Sequence, residues 1–153
     1  MEFNVQVRNS QFEKSLLNKI ARLATSLERE VEKELKVSFA LTFSQFRVLN
    51  ALGTLGEASQ SSLAAGLEVT PAVVTRQAEV LAARGLLVAT LNPRSKREKV
   101  LRLTPKGEDA VVEAGRVVLD RQKLILADLS LKDETAFERG IEAMSRILQG
   151  GAS

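Results

Sequence analysis

The sequence predicts a mainly helical protein carrying one small β-ribbon. Three observations lead there. From residue 10 to about residue 36, apolar residues fall at Phe12, Leu16, Ile20, Leu23, Leu27, Val31 and Leu35, steps of four and three that draw one stripe along a long helix. The segment TPAVVTRQAEVLAARG opens with Thr70, a capping residue, and Pro71, which suits a first turn, and it closes on Gly85. Directly after it, LLVATL and NPRSKREKVLRLT alternate on either side of a Pro- and Arg-rich turn, as the two strands of a ribbon do.

The remaining elements fall between these landmarks. Thr42 and Gln45 form a capping box for a second helix over about 43–52, which Gly53, Gly56 and the polar run to Ser59 break. Ser59 caps a short third helix through Ala65, ended by Gly66. The fourth helix spans 71–84 and the ribbon 86–103. Thr104 and Pro105 start a fifth helix running to about residue 129, and Ser130 with Asp133 starts a sixth that stops at Gly150 and Gly151. No internal repeat or low-complexity segment interrupts this order. The expected organisation is a single domain over 1–153.

Composition narrows the function. At 153 residues with 44% hydrophobic content, the chain is long enough for one core. No apolar run approaches the roughly 20 residues of a membrane span, and MEFNVQVRNSQFEK lacks the basic start and apolar centre of a signal peptide. A cytoplasmic protein is expected. Histidine and cysteine are both absent, which excludes zinc sites built from them, imidazole-dependent triads, disulfides and thiol switches. No Gly-rich phosphate loop or paired-carboxylate signature stands out, so neither an enzyme nor a cofactor is expected.

Charge is uneven along the chain. Between Gln60 and Pro105 seven basic residues (Arg76, Arg84, Arg94, Lys96, Arg97, Lys99, Arg102) face three acidic ones (Glu68, Glu79, Glu98), whereas the whole chain carries only +3. The surplus sits in a helix–turn–helix followed by a ribbon, a shape that fits duplex DNA with the helix in the major groove. Within the fourth helix, Val74, Ala78 and Leu81 repeat at core spacing, with Leu63 and Leu67 behind them. Ala72, Thr75, Arg76 and Glu79 are then expected outside, with Val73 and Gln77 near the boundary. Arg76 is the strong base reader there, because a guanidinium can bond guanine O6 and N7 together. The candidate DNA contacts are Ser61, Ser62, Thr70, Ala72, Val73, Thr75, Arg76 and Gln77, then Arg94, Ser95, Lys96, Arg97 and Lys99 on the ribbon. The ribbon tip can follow a phosphate backbone or enter a minor groove.

Residues 41–104 resemble the winged helix-turn-helix of the MarR family of bacterial transcriptional regulators. The resemblance rests on Val74-Thr75-Arg76, on Leu81 with Arg84-Gly85-Leu86-Leu87, and on Leu103-Thr104-Pro105-Lys106-Gly107 after the wing. It extends over the whole chain, since the family places a long helix before this unit and two after it. The family wing usually follows a pattern like Asp-Pro-x-Asp-x-Arg. Here Pro93 and Arg97 match, but Asn92 and Ser95 stand at the acidic positions, so the acid–arginine brace does not carry over.

The resemblance implies a homodimer joined through helices 10–40 and 105–149, binding pseudo-palindromic DNA, commonly as a repressor. The sequence permits such pairing. Phe137, Ile141, Met144 and Leu148 repeat at four, three and four, and Phe12, Leu16 and Ile20 can complete the interface. Packing of both stripes within one subunit is the alternative. The resemblance further implies a small aromatic or phenolic effector, for which Phe39, Phe43, Phe46 and Arg47 are the candidate residues; ordinary core packing accounts for the same phenylalanines. The other functional reading is an architectural or protein-contact module with little sequence preference.

Overall fold

The computed structural model describes residues 10–92 and 95–150, apart from the side chains of Ser10, Lys96 and Arg97. The described elements are α1 (Ser10–Lys14), α2 (Leu16–Phe39), α3 (Phe43–Leu55), β1 (Glu57–Ser59), α4 (Gln60–Gly66), α5 (Pro71–Ala83), β2 (Leu87–Asn92), β3 (Ser95–Leu103), α6 (Pro105–Leu126) and α7 (Leu131–Gly150). The predicted fold class is therefore observed. The chain divides into two compact units, Met1–Val117 and Val118–Ser153.

In the first unit the expected continuous N-terminal helix is interrupted. Ser15 adopts an extended conformation and caps α2, its hydroxyl accepting the Asn18 N–H at 3.2 Å. The Asn18 side chain donates back to the Glu13 carbonyl at 3.0 Å. The apolar stripe runs straight across this break, so periodicity could not reveal it. A serine bonding the backbone locally competes with the helix without disturbing that stripe.

The α3 capping box forms as predicted: Gln45 N–H donates to Thr42 Oγ1 at 3.1 Å, and Thr42 N–H donates to Gln45 Oε1 at 3.0 Å. The helix continues past Gly53, however, and ends only at Gly56, whose φ is +78°. Gly53 matters for packing instead, since a Cβ there would lie 3.3 Å from Val111 Cγ1.

The ribbon is also larger than expected. Strand β1, three residues long, carries too little pattern to be seen in sequence, yet it pairs with β3 through Glu57↔Arg102, Ala58↔Leu101 and Ser59↔Val100. The sheet order is β1-β3-β2, antiparallel throughout. Buried Leu87, Leu101 and Leu103 join Leu49, Leu52, Leu63, Val74 and Leu81 in one core. Leu67, expected inside, is only half-buried.

Two corners hold this unit together. Between α2 and α3, Ala40 takes a left-handed conformation (φ 50°), and Glu32 accepts the Phe43 N–H at 3.1 Å while pairing with Lys36. The Lys36 bond, then the Phe43 amide, hold the Glu32 carboxyl below its usual range. Across the unit, the Arg84 guanidinium donates to the carbonyls of Phe39 at 2.7 Å and Ala40 at 2.8 Å.

The second unit contains the end of α6 and all of α7. Helix α6 stops at Leu126 rather than near 129, because the chain tightens into short turns: Ala127 N–H donates to the Leu124 carbonyl and Leu129 N–H to that of Leu126. Ser130 then caps α7 as predicted, accepting the Asp133 N–H at 3.1 Å.

Candidate nucleic-acid interface

Helices α4 and α5 are joined by residues 67–70. Amides of Leu67, Glu68 and Val69 donate to the carbonyls of Leu63, Ala65 and Ala64, closing α4. Glu68, not Gly66, adopts the left-handed conformation, at φ 55°. Arg47 reaches over from α3 and donates to the Leu67 carbonyl at 2.8 Å, fixing the turn. The Thr70 hydroxyl makes no capping bond, contrary to expectation. Instead the Thr70 carbonyl accepts the Val73 N–H at 3.0 Å, and Pro71 starts the helix without an N–H to satisfy.

This anchoring decides which face α5 presents. Val74, Ala78 and Leu81 are buried as predicted, while Ala72, Arg76 and Glu79 are exposed. Val73 is half-buried, and so is Thr75, whose hydroxyl donates back to the Pro71 carbonyl at 3.0 Å. Gln77 corrects the sequence reading. It is only 7% exposed, because it lies three residues after Val74 and four before Leu81, on the buried stripe itself. Val80 takes the outward position one turn beyond Arg76.

On α4, Ser61 and Ser62 are exposed. On the wing, Ser95 is half-buried opposite Asn92, and Lys99 is exposed opposite Leu91. Arg94 and the side chains of Lys96 and Arg97 lie outside the described residues. The basic surplus is distributed unequally: Arg76, Lys99 and Arg102 face solvent, whereas Arg84 bonds two carbonyls of the protein itself.

Sequence reasoning missed Glu98. Its carboxylate accepts the Ser61 hydroxyl on Oε1 and the Asn92 side-chain amide on Oε2, the latter at 3.4 Å. Hydrogen bonds from Ser61, then Ser59, with a smaller one from Asn92, hold its carboxyl below the usual range. Ser61 and Glu98 are 37 positions apart, so no local pattern links them.

The proposed effector residues are placed as follows. Phe46 is buried, Phe39 and Phe43 are half-buried, and the Phe43 and Phe46 rings stack with centroids 6.5 Å apart. A cavity of about 370 Å³ lies elsewhere in this unit, lined among others by Asn50, Gly53, Leu103, Glu108 and Val111. Among the described residues, no cluster of three or more His, Cys, Asp or Glu can hold a metal. No helix there is long and apolar enough to cross a membrane.

The apolar stripes remain uncovered. In the first unit Phe12, Leu16 and Ile20 are exposed. In the second, Phe137 is 44% exposed, Ile141 51%, Met144 40% and Leu148 76%; α7 has no buried residue.

Comparison with known proteins identifies this arrangement. Residues 41–98 match the family model described as the MarR family. An uncharacterized HTH-type transcriptional regulator of Bacillus subtilis (strain 168), YwoH, is 30% identical over 128 residues, spanning 84% of this chain and 92% of the relative. The chain belongs to the MarR family. It is thus a transcriptional regulator with a DNA-binding winged-helix fold, a family of regulators rather than of enzymes. Solved MarR-type structures superpose closely. BpsR of Bordetella bronchiseptica, whose DNA binding is regulated by 6-hydroxynicotinic acid, matches at 25% identity and a TM-score of 0.78, covering 88% of this chain and 95% of BpsR. BldR of Sulfolobus solfataricus, a transcriptional regulator, matches at 25% and 0.76, covering 88% of this chain and 92% of BldR. A mutant of E. coli MarR complexed with operator DNA shares the fold at 22% identity and 0.73, covering 85% of this chain and 98% of that one.

Proposed function

We propose that this MarR-family regulator is a cytoplasmic homodimeric repressor that reads a pseudo-palindromic operator and is released by a small aromatic ligand. Residues 41–104 form the DNA-binding lobe, and helices 10–40 and 105–149 form the dimer. Arg76 reads a base edge in the major groove, with Ala72, Val73 and Thr75 beside it and Ser62 and Thr70 near the backbone. The wing, through Arg94, Ser95, Lys96, Arg97 and Lys99, adds phosphate contacts. Gln77, being buried, supports the helix from behind.

The observation that carries this reading is α7, a helix of 20 residues with an apolar stripe and no buried side chain. Such a face in water is costly unless a second surface covers it, and a second copy supplies one by two-fold symmetry. To read adjacent major grooves on one face of a duplex, the two α5 helices of such a dimer must lie roughly 34 Å apart, one helical turn. The effector reading is supported by the stacked rings of Phe43 and Phe46, and by the ligand regulation of BpsR.

Sedimentation equilibrium tests the assembly. Dimeric wild type and monomeric Ile141→Asp, with loss of duplex binding in the variant, are the expected results. A wild-type monomer that binds duplex DNA tightly overturns the proposal.

A further inference from the structure

We propose that Glu98 is the positioning residue of the wing, tying it to α4 and to β2 where the family pattern uses an acid–arginine brace. The inference rests on the DNA-binding reading above and deepens it.

The sheet leaves a gap that Glu98 fills. Main-chain pairing between β1 and β3 ends at Ser59↔Val100. Two residues further out along β3, on the same face as Val100, comes Glu98. Pairing of β2 with β3 becomes irregular at the same level, between Leu91 and Asn92. Past this point the wing extends with main-chain support from one neighbour only, through an irregular ladder. The Glu98 carboxylate bridges that gap sideways, taking Ser61 on Oε1 and Asn92 on Oε2.

The partners on α4 are themselves fixed. Ser59 Oγ accepts the Ser62 N–H at 3.1 Å as the helix cap, and it lies 3.1 Å from Ser61 Oγ. Glu98 therefore grips the start of the helix-turn-helix rather than a loose surface hydroxyl. This assigns Ser61 to holding the wing, in place of the DNA contact expected from sequence.

The chemistry also explains the amide at position 92. An amide N–H can donate to Glu98, whereas an aspartate there would set two carboxylates against each other. Glu98 and Asn92 thus form a matched acceptor and donor.

Amide hydrogen exchange over residues 95–99 of the free, full-length protein tests this, alongside affinity for a mixed-sequence duplex. In Ser61→Ala, which changes no charge, wing exchange is expected to rise about five- to tenfold. Glu98→Ala should do the same, and the double variant should add nothing further. Glu98→Gln, which keeps an acceptor for Ser61, should recover most of the protection, while Asn92→Asp should lose it. Duplex affinity should fall severalfold in Ser61→Ala. Unchanged wing exchange in both alanine variants, or full additivity in the double variant, overturns the proposal. Faster exchange with unchanged duplex affinity upholds the positioning role and counts against the wing as a DNA contact.

Discussion

The Thr104 hydroxyl donates to the Gly85 carbonyl at 2.6 Å, joining the turn that ends α5 to the residue that starts α6. The same oxygen accepts the Gly107 N–H at 3.1 Å, and Thr104 N–H donates to the Leu86 carbonyl. Two motifs 19 positions apart in sequence thereby meet at one atom. Gly107 is obligatory there, because a Cβ would overlap the Leu86 carbonyl. Gly107→Ala is expected to cost about 2–3 kcal/mol, as overpacking against rigid backbone does. Thr104→Val should cost about 1–2 kcal/mol by leaving a donor and an acceptor unmatched. Denaturant titration of both variants checks this.

Arg84 and Arg76 separate stability from binding. The Arg84 guanidinium satisfies the last carbonyl of α2 and that of Ala40, which follows it, so Arg84→Ala should destabilise the fold by about 2 kcal/mol. Exposed Arg76 makes no such bond in the structure. Arg76→Ala should leave the melting temperature unchanged and cost about 1–3 kcal/mol of operator affinity, with preference relaxed at one base pair. Paired thermal melts and anisotropy titrations distinguish them.

Ala40 holds a left-handed conformation at the end of α2. A side chain is strained there by about 1 kcal/mol. Ala40→Gly is expected to raise stability by about 0.5–1 kcal/mol, read as a higher denaturant midpoint at constant slope.

Acid should loosen the α2–α3 corner. The Glu32 carboxyl is lowered by Lys36 and the Phe43 amide, so the folded state binds its proton more weakly than the unfolded chain does. Its contribution is fully present above the ordinary glutamate range and is lost as pH falls through the lowered folded value. The Phe43 amide resonance, followed by NMR, should titrate in that window in wild type and stay flat in Glu32→Gln.

Much of the fold was legible because single residues announced its boundaries. Thr42 with Gln45, Pro71, Gly85 and Ser130 each act within three or four positions, the range over which a cap works. What was hidden has a different character. Strand β1 is short and owes its existence to β3, over 40 residues away. Ser15 breaks a helix from its polar face, where a hydrophobic stripe carries no information. On the candidate interface, exposed Ala72, Arg76 and Glu79 were legible from periodicity. Gln77 was misplaced although its spacing from Val74 and Leu81 marks the buried stripe. Glu98 was invisible, since its partners come together only through the sheet.

We propose above that two copies of this regulator read one symmetric DNA site through α5. Selection of bound duplexes from a random library at near-physiological salt tests it directly. Enrichment of a palindrome whose half-sites lie about one helical turn apart is the expected result. Retention of DNA with no enriched motif would contradict it and favour an architectural role.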